Sequence, residues 1–229
     1  MRRVLPICAV LALFALPAKP QSAPDPLDNL TPTQKLLFEN EWVKVIDDQI
    51  PPGGVEPMHR HKHGIVIYCV AYKTDDTTPD GKLVHQTRTP GTAFWSNPIT
   101  HSVKNVDDHM SHAIRIELKR ADPPPPPAPN ALDSLKVASA TQSVIFENEF
   151  VRVINDVIPI GATEPMHHHP HGVVVYLNEN YMTDQIQPDG KATRTTHKQF
   201  EATWGGELTH SVKNVGISAT HAIRVELKY

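Results

Sequence analysis

Cysteine is almost missing from this chain: Cys8 and Cys69 are the two in 229 residues. Cys8 lies in an N-terminal stretch expected to be removed, which leaves Cys69 alone and excludes an intramolecular disulfide. The mature protein has to be held by packing instead. Cys69, inside the apolar IVIYCV, reads as a small buried residue of that packing. Long basic runs are missing as well, and the net charge is −3, which excludes the electrostatic footprint of a nucleic-acid or anionic-lipid binder. No window repeats its apolar residues at helical spacing, which leaves strands as the building element. Nor is there a run of the roughly 20 apolar residues that a spanning helix needs. The longest, Val4 to Ala18, is broken by Pro6 and Pro17, follows Arg2 and Arg3, and leads into polar, proline-rich sequence. That pattern is a secretory signal peptide over residues 1–18, with cleavage after Ala18 and an uncleaved anchor as the alternative. The expected product is exported, periplasmic or secreted, with no stable membrane insertion after signal removal.

What the chain does contain is a copy of itself. TQKLLFENEWVKVIDDQIPPGG from Thr33 faces TQSVIFENEFVRVINDVIPIGA from Thr141, 108 residues later. Beyond Tyr68 and Tyr176 the second copy gains one residue, so the offset is 109 from Thr74 and Thr183 to the end. Two copies are too few for a solenoid and read as tandem domains, over 31–120 and 139–229. EWVKVI and EFVRVI carry the β-branched and aromatic residues of strands, and IVIYCVAY and VVVYLN read as strands buried on both faces. The Asp-Gly of PDGK, at Pro79 and again at Pro188, signals a hairpin turn. Each copy closes on HAIRIELK or HAIRVELK, where His112 or His221 shares a face with Ile114 or Ile223, expected to be the inward one, and Arg115, Glu117 and Lys119 take the other. The fold class is therefore all-β, with many short strands per domain. Residues 121–138, rich in proline, cannot continue a sheet and read as a linker, with a PxxP recognition motif as the alternative.

The stretch with most chemistry is GGVEPMHRHKHG, Gly53 to Gly64, whose edited copy GATEPMHHHPHG runs from Gly161 to Gly172. His59, His61 and His63 recur as His167, His169 and His171, two residues apart in each case. Residues two apart on a strand share a face, so the spacing aims imidazoles at one point. Of the 14 histidines, ten fall into matched pairs, the remaining two pairs being His101 with His210 and His112 with His221. Imidazole is the commonest metal ligand, and the repetition favours a metal site over a merely structural cluster.

These residues resemble the cupin superfamily, whose first motif is G(X)5HXH(X)3,4E(X)6G and whose second ends in H(X)3N. Gly53, His59 and His61 match the opening of the first, as do Gly161, His167 and His169. His101 with Asn105, and His210 with Asn214, match the end of the second. The resemblance covers both copies, as in a bicupin, and implies two tandem double-stranded β-helix (jelly-roll) barrels joined by the proline-rich linker. It further implies metal ligands His59, His61 and His101 in one barrel and His167, His169 and His210 in the other. The chain departs from the motif at its glutamate, where Ile65 and Val173 stand. Ile65 is expected to point at the site from that vacant position, leaving three neutral imidazoles.

A divalent metal held by neutral ligands keeps a charge near +2 and favours an anionic small-molecule ligand. Iron, manganese, zinc or nickel all suit imidazole, so the identity of the divalent transition metal stays open. His63, His171, His112 and His221 either join the site or pack around it. Trp95, Trp204, Tyr68 and Tyr176 read as barrel-core aromatics with pocket walls as the alternative, and Glu56 and Glu164 as residues of a strand-entry turn with a general-base role as the alternative. The functions left standing are a metal-dependent enzyme, oxygenase-like or isomerase-like, on a small anionic metabolite, and a non-catalytic ligand-binding or metal-binding module. Cupin sheets pair, so a homo-oligomer is open, as is a pair of domains that imitates a dimer.

Overall fold

The computed structural model describes residues 26–229, and the expected signal segment with Cys8 lies outside them. Strand makes up 55% of the described residues and helix 3%, as an all-β fold requires. The strands form four antiparallel sheets. In the first repeat β1 (Gln34–Glu39), β2 (Val43–Asp48), β4 (Gly64–Tyr68), β7 (Thr92–Ser96) and β9 (Ala113–Leu118) join in the order β1-β2-β9-β4-β7. Opposite lie β3 (Val55–His61), β5 (Tyr72–Thr77), β6 (Leu83–Arg88) and β8 (Ile99–Asn105), in the order β3-β8-β5-β6. The second repeat builds the same pair. Its five-stranded sheet contains β10 (Gln142–Glu147), β11 (Val151–Ile158), β13 (Gly172–Tyr176), β16 (Ala202–Gly205) and β18 (Thr220–Leu227). Its four-stranded sheet contains β12 (Thr163–His169), β14 (Tyr181–Ile186), β15 (Ala192–His197) and β17 (Leu208–Asn214). Each repeat is a two-sheet barrel of the jelly-roll kind, as the motifs implied.

Alternation along β9 decides the architecture. Ile114, Ile116 and Leu118 point one way and Arg115 and Glu117 the other, yet all are buried. The apolar face does not line the barrel. It packs against the matching face of the second barrel, so Val43, Val45, Ile65, Ile67 and Ile116 form one continuous core with Val151, Val153, Val173, Val175 and Val225. The charged face is the one that looks into the barrel, where Arg115 lines the cavity. This reverses the expectation for His112 and His221, which share the apolar face. His112 lies edge-on to Phe200 of the other barrel, at 4.8 Å between ring centroids, and its Nε2 is 2.8 Å from Asp47 Oδ1.

The contact between barrels follows a local two-fold axis, as in a symmetric dimer made from one chain. His63 packs on Phe150 and the equivalent His171 on Trp42, both at 4.8 Å. Trp95 stands 5.5 Å from His63, and Trp204 stands 5.5 Å from His171. Both tryptophans therefore belong to the interface rather than to the barrel interiors. Cys69 is buried in the same core, and burial pushes its thiol up to about 12, which makes it inert.

Two backbone features hold the site strands in place. A side chain on Gly64 would stand 1.9 Å from the Ile116 carbonyl oxygen, so only glycine lets β4 approach β9 there, and Gly172 meets Val225 likewise at 2.0 Å. Asn105, fully buried, donates from Nδ2 to the Ile50 and His109 carbonyls at 2.8 Å each. Asn214 does the same to Ile158 and Ser218. The motif asparagine thus staples the end of β8 or β17 to a neighbouring loop.

Candidate metal centres

His59 and His61 share the interior face of β3, and β8 pairs with β3 so that His101 stands directly opposite His59. On β12 and β17 the same register sets His210 opposite His167. The ligand nitrogens of His59, His61 and His101 lie within 4.8 Å of one another, as do those of His167, His169 and His210, and all six residues are buried. Spacing singled out His59, His61, His167 and His169, the cupin resemblance added His101 and His210, and the tertiary structure brings the six together as two trios.

Hydrogen bonds fix which nitrogen carries the proton. His59 Nδ1–H donates to the Pro57 carbonyl (2.8 Å), and His61 Nδ1–H donates to Glu117 Oε1 (2.7 Å). Both partners only accept, so both Nε2 atoms present bare lone pairs, and these face each other at 2.8 Å. Two lone pairs at that distance repel unless a cation lies between them. The second barrel repeats the pattern: His167 Nδ1–H donates to Pro165 O (2.7 Å), His169 Nδ1–H to Glu226 Oε1 (2.6 Å), and His210 Nδ1–H to Gln185 Oε1. The Nε2 atoms of His101, His167 and His210 are buried and find no hydrogen-bond partner among the described residues. Buried polar atoms are rarely left so, and a metal ion satisfies all of them together.

Electrostatics point the same way. Burial holds His59, His61, His167 and His169 below the ordinary imidazole range. His210 is pushed down to about 3, by burial first and then by His167 beside it. These imidazoles are neutral at neutral pH, which is the form that binds metal. The trios fit a divalent ion, and their chemistry leaves its identity among iron, manganese, zinc and nickel.

Glu117 and Glu226 were not legible as site residues, because the alternation of β9 and β18 does not say which face is inside. Repetition was the available signal, since HAIR and the glutamate two residues later occur in both copies. Arg115 and Arg224, at least nine-tenths buried, stand on the same interior faces. Glu56 and Glu164 are 1% exposed and lie inside the barrels, not in a solvent-side turn. Beside them, Asp48 and Asp156 are pushed well above the carboxylate range, by burial first and then by Glu56 or Glu164 respectively.

Other expectations fail on geometry. Ile65 and Val173 are fully buried in the core between the barrels, with side chains away from the trios, because they alternate with Val66 and Val174. Ile65 therefore does not fill a ligand position. His63 is packed among Trp95 and Phe150, with Nε2–H donating to the Arg120 carbonyl (2.7 Å), and His171 lies between Trp42 and Trp204. Neither joins a trio. Tyr68 does line the first barrel's cavity.

That cavity, about 50 Å³, is lined by Tyr68, Tyr72, Asp76, Arg88, His101 and Arg115 among others. The Arg88 guanidinium lies over the Tyr68 ring at 4.7 Å, with Nη2 at 3.8 Å from Asp76 Oδ2. His101 Nδ1 is also 3.8 Å from Asp76 Oδ2. His61, His101, Arg88 and Arg115 border one space together with the carboxylates of Asp48, Glu56 and Asp76.

No protein-family profile and no curated protein matches the sequence. Solved structures do. AerE from Microcystis aeruginosa superposes with a TM-score of 0.57 at 12% identity, over 86% of this chain and 98% of that one. Oxalate decarboxylase of Bacillus subtilis, studied for its Mn(II) centres, gives 0.54 at 11% identity over 84% and 71%. Salicylate 1,2-dioxygenase from Pseudoaminobacter salicylatoxidans, in a variant form, gives 0.53 at 10% identity over 81% and 71%. At such identities the likeness is one of fold.

Proposed function

We propose that this chain, a bicupin by its fold, is an exported two-site metalloprotein in which the first barrel acts on a small carboxylate. The observation that carries this is the convergence of three imidazoles in each barrel, with the outer nitrogens of His59, His61, His167, His169 and His210 pinned by acceptors and that of His101 facing Asp76 at 3.8 Å. His59, His61 and His101 would hold one divalent ion, and His167, His169 and His210 a second. The ion supplies Lewis acidity toward an oxygen-bearing substrate.

The rest falls to the chain's own side chains. Arg88, at the cavity wall, supplies positive charge for a carboxylate, and Asp76 holds its guanidinium in place. Tyr68 and Tyr72 close the apolar side. Glu117 orients His61 and keeps its Nε2 unprotonated. Arg115, buried beside Glu117 and Asp48, supplies a fixed positive charge at the cavity floor. The Mn(II) centres of the oxalate decarboxylase and the dioxygenation of salicylate belong to those proteins; here they support a metal-dependent reaction on a small acid, oxygenase-like or isomerase-like.

The test is metal content and turnover of the full chain recovered from the extracytoplasmic fraction. About two ions per chain are expected, falling to one in His59→Ala or His167→Ala, with consumption of a short carboxylic acid, aerobically or without oxygen. Two bound ions without turnover across a panel of such acids would leave the non-catalytic binding module as the function. Mass spectrometry of the same fraction reads the N-terminus, and an intact Met1 there would overturn signal removal.

A further inference from the structure

The geometry points to Glu56 and Glu164 as a fourth, anionic metal ligand in their barrels, an inference that rests on the metal sites proposed above. In the cupin pattern the glutamate follows the histidine pair, where Ile65 and Val173 stand here, and those side chains are committed to the core between the barrels. A carboxylate nevertheless stands beside each trio, three residues before the pair. Strict alternation would turn Glu56 to the opposite face from His59, since an odd number of positions separates them. A bulge prevents this: the pairing of β3 with β8 shifts register between Glu56 and His59, and β12 shifts against β17 between Glu164 and His167. The extra residue brings Glu56, His59 and His61 to the interior together. Pro57 and Pro165 suit the bulge, having no N–H to lose from the ladder.

The two carboxylate oxygens have different surroundings. Glu56 Oε1 accepts from the hydroxyls of Thr31 and Thr33, the latter at 2.7 Å. Glu164 Oε1 accepts from Thr141 Oγ1 and from Gln142 Nε2, the latter at 3.1 Å. Each Oε2 is buried without a hydrogen-bond donor among the described residues. It stands 3.6 Å from His59 Nε2 in the first barrel and 3.7 Å from His167 Nε2 in the second. At metal–ligand distances of about 2.1 Å, neighbouring donors on an octahedral ion are about 3.0 Å apart and opposite ones about 4.2 Å. The observed separations fall between these. Oε2 stands on the first-histidine side of each trio, outside the cluster of nitrogens that lie within 4.8 Å of one another, so ligation requires the carboxylate to turn about its clasped oxygen. In both copies the donors all go to Oε1, while Oε2 faces the first histidine of the trio, with the carboxyl of Asp48 or Asp156 as its other neighbour.

The consequence is chemical. A carboxylate added to three imidazoles lowers the formal charge of the centre from +2 to +1 and shifts preference toward harder ions such as manganese. The centre is then of the three-histidine, one-carboxylate kind, with the carboxylate delivered from β3 or β12.

The test uses the full chain with Glu56→Gln and Glu164→Gln, singly and together, beside His59→Ala and His167→Ala. Dissociation constants for Mn(II) and Zn(II) are measured by chelator competition, and the Co(II)-loaded forms by visible absorption. Each glutamine variant is expected to weaken Mn(II) at its own site at least tenfold, to weaken Zn(II) less, and to change the Co(II) spectrum of one site. Unchanged Mn(II) affinity, Mn-to-Zn ratio and Co(II) spectrum would overturn the inference while leaving the metal sites intact. If the histidine variants kept both ions, the metal sites themselves would have failed. Should a glutamine variant not fold, a crystal structure of the Mn-loaded unaltered protein decides: Oε2 bound at about 2.0–2.2 Å supports the inference, and a water between them overturns it.

Discussion

The two barrels keep the same cage and differ in its wall. Histidines, glutamates and arginines of the site are paired throughout: His59 with His167, His61 with His169, His101 with His210, Glu117 with Glu226, Arg115 with Arg224, Glu56 with Glu164. Around them the copies part. Where the first barrel has Asp76 beside its third histidine, the second has Gln185, which accepts directly from His210 Nδ1. Where the first has Arg88 over Tyr68, the second has His197 stacked flat on Tyr176, with centroids 3.7 Å apart. The acceptors of the first two imidazoles are the same in both copies, a backbone carbonyl and a buried glutamate, whereas the partner of the third has changed. The wall only has to present a charge or a surface, so it diverges, and Arg88 has His197 as its counterpart in the second barrel.

The largest effect should come from the buried ion pairs, where the barrels also differ. Glu226 accepts from Arg152 Nε at 2.7 Å as well as from His169, whereas Glu117 accepts from His61 and feels Lys44, the counterpart of Arg152, and Arg115 only through space. Glu226→Ala should cost about 3–5 kcal/mol because it strands buried cations, and Glu117→Ala should cost less. Chemical denaturation compares the two, and equal losses would erase the distinction. Next in size is the shared core: Ile65→Ala should cost about 2–5 kcal/mol, with the same deficit in the presence and absence of a chelator. A deficit that grows only when metal is removed would return Ile65 to the metal site.

Smaller effects separate the walls. Arg88→Ala should weaken binding of a short carboxylate about tenfold, or about 1.4 kcal/mol, while His197→Ala leaves it unchanged. Calorimetry with the metal-loaded protein reads both, and an equal loss in the two variants would make the barrels functionally alike. Smallest is a backbone contrast. Gly91, at φ +70°, and its counterpart Phe200, at φ +62°, both adopt the left-handed conformation at the contact between barrels. Gly91→Ala should cost about 1–2 kcal/mol. Phe200→Gly should come out near neutral in melting temperature, because relief of strain offsets the lost contact with His112.

The sequence by itself determined the repeat, the all-β class and the paired histidines from which the six are drawn. It could do so because the period-two spacing of His59 and His61, and the recurrence of each element at a fixed offset, are local properties of the chain. Alternation also sorted β9 into an apolar and a charged face. Which face lies inside was decided only by the tertiary structure, because a second apolar sheet covers the outside and makes the barrel interior the polar side. For that reason Ile65, Trp95, His112 and their partners belong to the interface, and Glu117 and Arg115 to the site. Glu56 and Glu164 depended on a bulge, and a bulge is set by how two strands pair, so spacing along one strand could not reveal it.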